Sequence, residues 1–523
     1  MASKSRAMAS RPLACLTRRA GVITPGRALA SLQHVYATTR RTTLLRALHS
    51  SANRPSPTEN ITLDEASRLL PEEPPEPSPA TMTKPTPLAV LPLTSVLRTL
   101  MTTTVSSSRL LLPPSLAIMS ALAHSQSPLL NPDSNPILRY ALKKTFYAQF
   151  CAGENAGEVR QTISSLKKIG FSGVILGYAK EVVLTGAQTR DLMSQGIDGT
   201  TAAAQEQYIK TEVKPWAAGT METVMLASPG DFVALKFTGA GRQALYALSQ
   251  RLPPSEALAS AIDDICALAA SRGVRLLFDA EQQAVQAGID DWTLEYMRKY
   301  NTPDRAIVYG TYQAYLKATP SVLSSHLAAA QKAGFTLGVK LVRGAYLGSD
   351  PRHLIHDAKE DTDRAYDGIA SALLRRKWAA PLTAPAGKEE GTLLPNVNMV
   401  LASHNRASVL KARALLDAGE CRTEVAFAQL QGMADEVSCE LVASRGSTGG
   451  SNNASAMAKA VGDKAAKLQA YKYLVWGSTG ECMKYLLRRA QENRDAVQRT
   501  RSGRDAMRAE LLRRVKGFFG LSG

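Results

Sequence analysis

Eight short runs rich in Val, Ile, Leu and Phe recur along the chain, separated by longer stretches with helical periodicity. They are FSGVILGY from Phe171, DFVALKFT from Asp231, VRLLFDA from Val274, AIVYGTY from Ala306, TLGVKLVRG from Thr336, VNMVLASH from Val397, EVAFAQL from Glu424 and YKYLVWG from Tyr471. Their hydrophobicity is continuous rather than alternating, which suits strands buried on both faces of a parallel sheet, with the intervening helices as crossovers. Eight strand-then-helix units predict an α/β fold, a (βα)8 TIM barrel with added N-terminal helices. The same pattern leaves a doubly wound open sheet as the alternative.

The formal charge of +18 suggests a nucleic-acid binder until its distribution is seen. Lys4, Arg6, Arg11, Arg18, Arg19, Arg27, Arg40, Arg41, Arg46 and Arg54 all precede the first acid, Glu59. An acid-free, arginine-rich leader over residues 1–50 reads as a mitochondrial transit peptide, disordered and cleaved near RALHSS (46–51). Residues 51–135 read as a flexible Pro-rich linker and variable region, with the ordered barrel domain running from Pro136 to Gly523. Low-complexity patches at 379–395 and 443–460 read as surface insertions. The most apolar segment, Leu88 to Ala123, is broken by Arg98, Arg109, Pro113 and Pro114, so no membrane span is expected, while peripheral membrane contact stays open. The six cysteines show no paired or zinc-ligand spacing, and His353, His356 and Asp357 lack a third distant ligand, so no metal is expected.

A barrel of this kind carries its active site at the C-terminal ends of its strands. Those ends read Lys236, Asp279 and Glu281, Gln313, Lys340, Arg343 and Tyr346, His404 and Asn405, Gln429 and Leu430, and Tyr473. After the eighth run comes KYLLRRAQENR, with Arg488 and Arg489 adjacent on a helical pattern. Two guanidiniums clamp a carboxylate through parallel N–H donors, and Glu492, four residues after Arg488, is placed to orient one of them. The segment TGAGRQA (238–244) has the GxGxxA shape of a dinucleotide fingerprint, but the next strand-ending acid, Asp279, comes 40 residues after Gly239 instead of about 20.

Nine collinear motifs between residues 140 and 500 then carry a resemblance: YAQFCAGEN, GYAKE, LFDAEQ, RKYN, YGTYQAYLK, KLVRGAYL, ASHN, AQLQGMAD, and KYLVWG followed by YLLRRAQEN. The chain resembles the proline dehydrogenase family, especially its fungal mitochondrial members. The resemblance implies a distorted (βα)8 barrel holding FAD noncovalently. It further implies oxidation of L-proline to 1-pyrroline-5-carboxylate, the first step of proline degradation, with electrons passed to ubiquinone on the matrix side of the mitochondrial inner membrane. By position in the motifs, Arg488 and Arg489 would clamp the substrate carboxylate, with Glu492 beside them. Lys236 and Asp279 would pair at the substrate site, and Tyr346, Leu430 and Tyr473 would wall the ring. Gln313, Lys340, Arg343, Gly344, Ala345, Ala402, Ser403 and His404 would contact the flavin. Relatives that accept hydroxyproline tend to hold a smaller residue at the position of Tyr473.

Hydroxyproline or another cyclic amine is the alternative substrate. A reading of another class takes Arg488 to Lys516 as a basic tail gripping RNA or a membrane. That tail mixes in Glu492, Asp495, Asp505 and Glu510 and lacks aromatic interleaving.

Overall fold

The computed structural model describes residues 86–125, 127–179, 201–348, 350–447, 468–495 and 497–520. The predicted transit peptide, the Pro-rich stretch up to residue 85 and the insertion beyond residue 447 lie outside them. Eight strands, β1 Gly173–Tyr178, β2 Phe232–Leu235, β3 Arg275–Phe278, β4 Val308–Gln313, β5 Leu337–Val342, β6 Val397–Ala402, β7 Glu424–Leu430 and β8 Gln469–Trp476, form a closed barrel in sequence order. Every pairing is parallel, and β8 closes onto β1 with Ile175 opposite Tyr473. The longer helices are α1 Leu93–Ser107, α2 Leu112–His124, α3 Ala156–Ile169, α4 Lys214–Leu226, α5 Glu256–Arg272, α6 Gln283–Tyr300, α7 Thr319–Ala333, α8 Lys359–Arg375, α9 Arg406–Asp417, α10 Asp435–Ser447, α11 Thr479–Asp495 and α12 Val497–Phe518. The (βα)8 barrel expected from the eight apolar runs is the fold observed.

Side chains alternate across each strand. Outward residues such as Val174, Leu176, Val233, Leu276, Val339 and Leu401 join the helices in the large outer core. Inward residues Ile175, Phe232, Ala234, Leu277, Tyr309, Val400, Ala426, Ala428 and Tyr471 form a separate cluster inside the barrel, with Ala402 and Tyr473 against it. The floor is bulky and aromatic, whereas the layer above is built from Ala234, Ala402 and Ala428, which leaves room toward the C-terminal mouth.

The bottom is closed by Arg275. Its guanidinium lies 3.8 Å from the Phe232 ring centroid, and it donates to Glu424 at 2.9 Å, to the Gly230 carbonyl at 2.7 Å and to the Tyr471 hydroxyl at 3.1 Å. An arginine buried in this way is held by matching acceptors and an aromatic face at once.

One sequence expectation changes here. Order does not start near Pro136, because helices α1 and α2 fall inside the stretch read as linker. Helix α1 runs beside α12: Arg504 donates to Ser107 Oγ at 3.2 Å near one end, and Arg514 donates to the Leu91 carbonyl at 2.8 Å near the other. The apolar residues Val96 of α1, Met507 of α12 and Cys439 of α10 pack together beneath them. The 379–395 stretch is a loop between α8 and β6, pinned by buried Leu382 and Leu394.

Arg275→Ala should lower the free energy of unfolding by about 2–4 kcal/mol, since it removes a desolvated cation–π contact and three hydrogen bonds. Urea denaturation measures this, and an unchanged midpoint would refute the role given to Arg275.

Candidate active site

Period-two alternation decides what reaches the mouth. Continuing inward from Phe232 and Ala234 gives Lys236, from Leu277 gives Asp279, from Tyr309 and Thr311 gives Gln313, from Gly338 gives Lys340, from Ala426 and Ala428 gives Leu430, and from Tyr471 gives Tyr473.

Asp279 is the centre of this layer. One carboxylate oxygen accepts from Lys340 Nζ at 2.5 Å and the other from Lys236 Nζ at 3.2 Å. The Tyr473 hydroxyl donates to the second oxygen at 3.4 Å, and Lys340 Nζ stands 5.4 Å from the Tyr473 ring centroid. Burial of Asp279 opposes its ionisation, but the attraction of the two lysines is stronger and holds the carboxyl below its ordinary range. The sequence expected the Lys236–Asp279 pair. Lys340, expected at the flavin, is the tighter partner.

Around this centre the remaining predicted residues fall into distinct settings. Gln313 is buried, with its Oε1 accepting from the Ala345 amide at 3.0 Å. Gly344 has φ +155°, and a Cβ there would run into the Tyr315 ring, so glycine lets the strand-end backbone lie against that ring. Arg343 turns to the outer helices, pairing with Asp363 and reaching Ser408 Oγ at 3.4 Å. His404 Nε2 accepts from the Leu430 amide at 3.1 Å, so its orientation is fixed by β7. Ser403 is buried, and its Oγ accepts from the Asn405 amide at 3.0 Å. Tyr346 is buried as well, and its carbonyl accepts from the Asp350 amide.

Three of the polar strand ends serve the framework. Asn405 caps α9 by accepting from the Ser408 amide. Gln429 points outward, donating to the Ser403 carbonyl and accepting from Ser438. Glu281 receives the amide and hydroxyl of Thr238. That bond also disposes of the GxGxxA reading. Thr238 to Ala240 form a buried short turn, and the first amide of the following helix, Arg242, already donates to the Glu212 carboxylate at 2.7 Å. A helix start occupied by a carboxylate has no place for a pyrophosphate.

Helix α11 starts directly after β8 and carries both arginines. Its Tyr485, Leu486 and Ala490 belong to an apolar cluster that also takes in Leu430 and Tyr473, so the helix is packed over one side of the mouth. Arg489 is buried, its guanidinium 4.9 Å from the Tyr485 ring centroid, and Arg488 is half-buried. The side chain of Glu492 lies outside the described residues.

Two polar atoms at the mouth are buried with no protein partner, Gln313 Nε2 and Thr311 Oγ1. Both lie on β4, one inward step apart, in the part of the barrel interior that the small residues Ala402 and Ala428 leave open. Buried polar groups require partners, and a flat heteroaromatic ring system with hydrogen-bonding edges would supply them. The residues present therefore fit a flavin. Thr311 was not singled out from the sequence, although the inward alternation in YGTYQ points to it.

Asp279→Asn should cost about 3 kcal/mol, because it leaves two buried ammonium groups facing a neutral amide. The carboxyl's folded pKa lies below its unfolded one, so its ionised form adds stability above about pH 4 that is lost as the pH falls. Thermal unfolding across pH 3 to 7 should show a larger loss in the native chain than in the variant, which keeps only the share from other paired carboxylates such as Glu154. Matching profiles for the two would remove Asp279 from the electrostatic centre.

A family model described as "Proline dehydrogenase" matches residues 159–502. The chain is 29% identical over 419 residues to the "Probable proline dehydrogenase, mitochondrial" of Schizosaccharomyces pombe, covering 73% of this chain and 81% of that one. It is 27% identical over 413 residues to the "Hydroxyproline dehydrogenase" of Mus musculus, covering 72% and 83%. Among solved structures, proline utilization A (PutA) from Bdellovibrio bacteriovorus, inactivated by N-propargylglycine, matches with a TM-score of 0.50 and 17% identity over 74% of this chain. The match takes in 38% of that larger chain, and the likeness bears on the fold alone. With a family model covering well over half of its 523 residues, the chain belongs to the proline dehydrogenase family.

Proposed function

We propose that the chain oxidises L-proline to 1-pyrroline-5-carboxylate with a noncovalent FAD, and that the electrons then pass to ubiquinone on the matrix side of the mitochondrial inner membrane. The observation that carries this reading is the juxtaposition at the mouth. A Lys236–Asp279–Lys340 cluster faces upward beside Tyr473, and a helix with two adjacent arginines is packed against the same tyrosine.

In this reading Arg488 and Arg489 hold the substrate carboxylate, which fixes the ring in one orientation. Tyr346, Leu430 and Tyr473 wall the ring, and packing against them excludes water. FAD, when bound, supplies the two-electron acceptor for the hydride leaving the ring carbon beside nitrogen. Gln313 and Thr311 offer polar atoms for its ring, and Gly344, Ala345, Ala402, Ser403 and His404 lie around the same strand ends, with Arg343 bracing the rim and Glu492 completing the arginine-bearing turn. Two lysines against one aspartate leave the cluster with a net positive charge. That charge disfavours a protonated substrate nitrogen and so favours the neutral amine, whose lone pair assists hydride departure. The relative from Mus musculus is named for hydroxyproline. In this reading the Tyr473 hydroxyl, which donates to Asp279 at 3.4 Å, stands where a ring hydroxyl would need space, and this supports proline as the substrate.

An absorption spectrum of the purified chain should show a flavin band that bleaches when L-proline is added without oxygen, and more slowly with hydroxyproline. A band unchanged by proline would reject the substrate, and a colourless protein after reconstitution with FAD would reject the cofactor. Arg488→Lys and Arg489→Lys should each lower kcat/KM for proline by about 10- to 100-fold, mainly through KM, since lysine cannot reproduce paired donors. In the native chain kcat/KM should rise with pH as the substrate amine loses its proton.

A further inference from the structure

The start of α11 is held from outside the barrel. Ser478 and Glu481 form a capping box, with the Glu481 amide donating to Ser478 Oγ at 3.2 Å and the Ser478 amide to Glu481 Oε2 at 2.9 Å. Beyond this local cap, two carboxylates from segments far earlier in the chain reach the same turn. Glu154 Oε1 accepts from the Thr479 amide at 3.0 Å and from Thr479 Oγ1 at 2.7 Å. Asp133 accepts from the Gly480 amide at 2.9 Å and from Ser478 Oγ at 3.2 Å. Gly480 is needed for this, because a Cβ there would overlap the Asp133 carboxylate.

Glu154 is the better built of the two. Its side chain is 4% exposed, and its second oxygen accepts from Lys143 at 2.6 Å and from Arg139 at 3.1 Å. Burial works against its charge, but the bonds from Lys143, Thr479 and Arg139 hold its pKa down at about 2. The backbone beside it is equally committed: the Ala152 amide donates to the Val475 carbonyl at 2.7 Å and the Gly477 amide to the Gly153 carbonyl at 3.2 Å. Residues 151–154 thus grip both the last residues of β8 and the first turn of α11, and the negative charge sits at the positive end of the helix dipole.

We propose that Glu154 is a positioning residue for substrate binding, setting the angle at which α11 presents Arg488 and Arg489 over the barrel mouth. This rests on the reading of those arginines as the carboxylate clamp. The leverage follows from helix geometry. Arg488 lies nine residues after Thr479, roughly 14 Å along the axis at about 1.5 Å per residue. A pivot of about 5° at the first turn therefore displaces the guanidiniums by about 1 Å, enough to cost up to about a hundredfold in a positioned interaction. Neither Tyr485 nor Leu486 can hold the angle alone, because apolar packing is non-directional whereas the Glu154 bonds fix the helix end in register.

Two substitutions test this in the full chain purified with its cofactor. Glu154→Gln keeps the side-chain shape and removes the charge, and Thr479→Val keeps the volume and removes the hydroxyl donor. Each should raise KM for proline by about tenfold while kcat changes less than about twofold. The Kd of cyclopentanecarboxylate, which has the ring and carboxylate but no nitrogen to oxidise, should weaken by the same factor in calorimetry. Glu154→Asp should recover part of the loss. If both variants fold and leave KM and that Kd unchanged, or if kcat falls with KM unmoved, Glu154 has no positioning role. A native chain that neither oxidises proline nor binds the probe would overturn the functional reading, and this proposal with it, before any substitution is made.

Discussion

A buried carboxylate sets the terms for the barrel mouth. Without Asp279, Lys236 and Lys340 would face one another inside a closed sheet, and neither could stay charged at low cost. With it, two cations and one anion share hydrogen bonds in a layer only 5–8% exposed at Asp279 and the Lys340 side chain. The barrel therefore carries fixed positive charge at the point where its inward side chains change from large to small. Charge of this sort, set in place before a ligand arrives, needs no reorganisation when one binds.

The rest of the mouth is arranged around that layer by elements at its edge. Arg275 seals the opposite end, so the inward aromatic residues form a solid floor rather than a channel. Above, the last strand and the last barrel helix are tied to the segment that precedes the barrel. Residues 151–153 extend the hydrogen bonding along the β7 edge of β8, past its last pairing with β7 at Tyr473. On the outer face of β8, Lys472 is buried and pairs with Asp435 at 2.7 Å, and Thr99 of α1 reaches the same carboxylate at 3.4 Å. The N-terminal helices are in this way joined through polar contacts to the strand that carries Tyr473.

Much of the barrel was legible in the sequence because its strands are buried on both faces, and an apolar run bounded by polar residues marks each one. EVAFAQL coincides with β7, five of the other runs contain their strand, AIVYGTY stops one residue short of the end of β4, and YKYLVWG starts two residues into β8. The pairing of Lys236 with Asp279 was legible through the family motifs, since both stand one inward step beyond apolar residues. The helices before Pro136 were not. LTSVLRTLMTTTVSS is rich in Thr, Ser and Val, which are poor helix formers, and its helicity depends on packing against α12, some 400 residues later. Periodicity within a short window carries no trace of such a partner.

The same limit explains why Glu154 went unassigned although YAQFCAGEN was recognised. A glutamate followed by Asn and a helix reads as a local cap, and Asn155 does cap α3. The carboxylate instead turns to Thr479, 325 residues away, because the free amides of a helix start attract negative charge wherever the fold brings it. Asp133 makes the same choice from a different segment. Two independent carboxylates at one helix start, on the helix that bears the paired arginines, mean that the chain before the barrel acts on its mouth through the orientation of α11. The barrel supplies the charged floor of the site, and the segment outside it sets how the arginines stand above that floor.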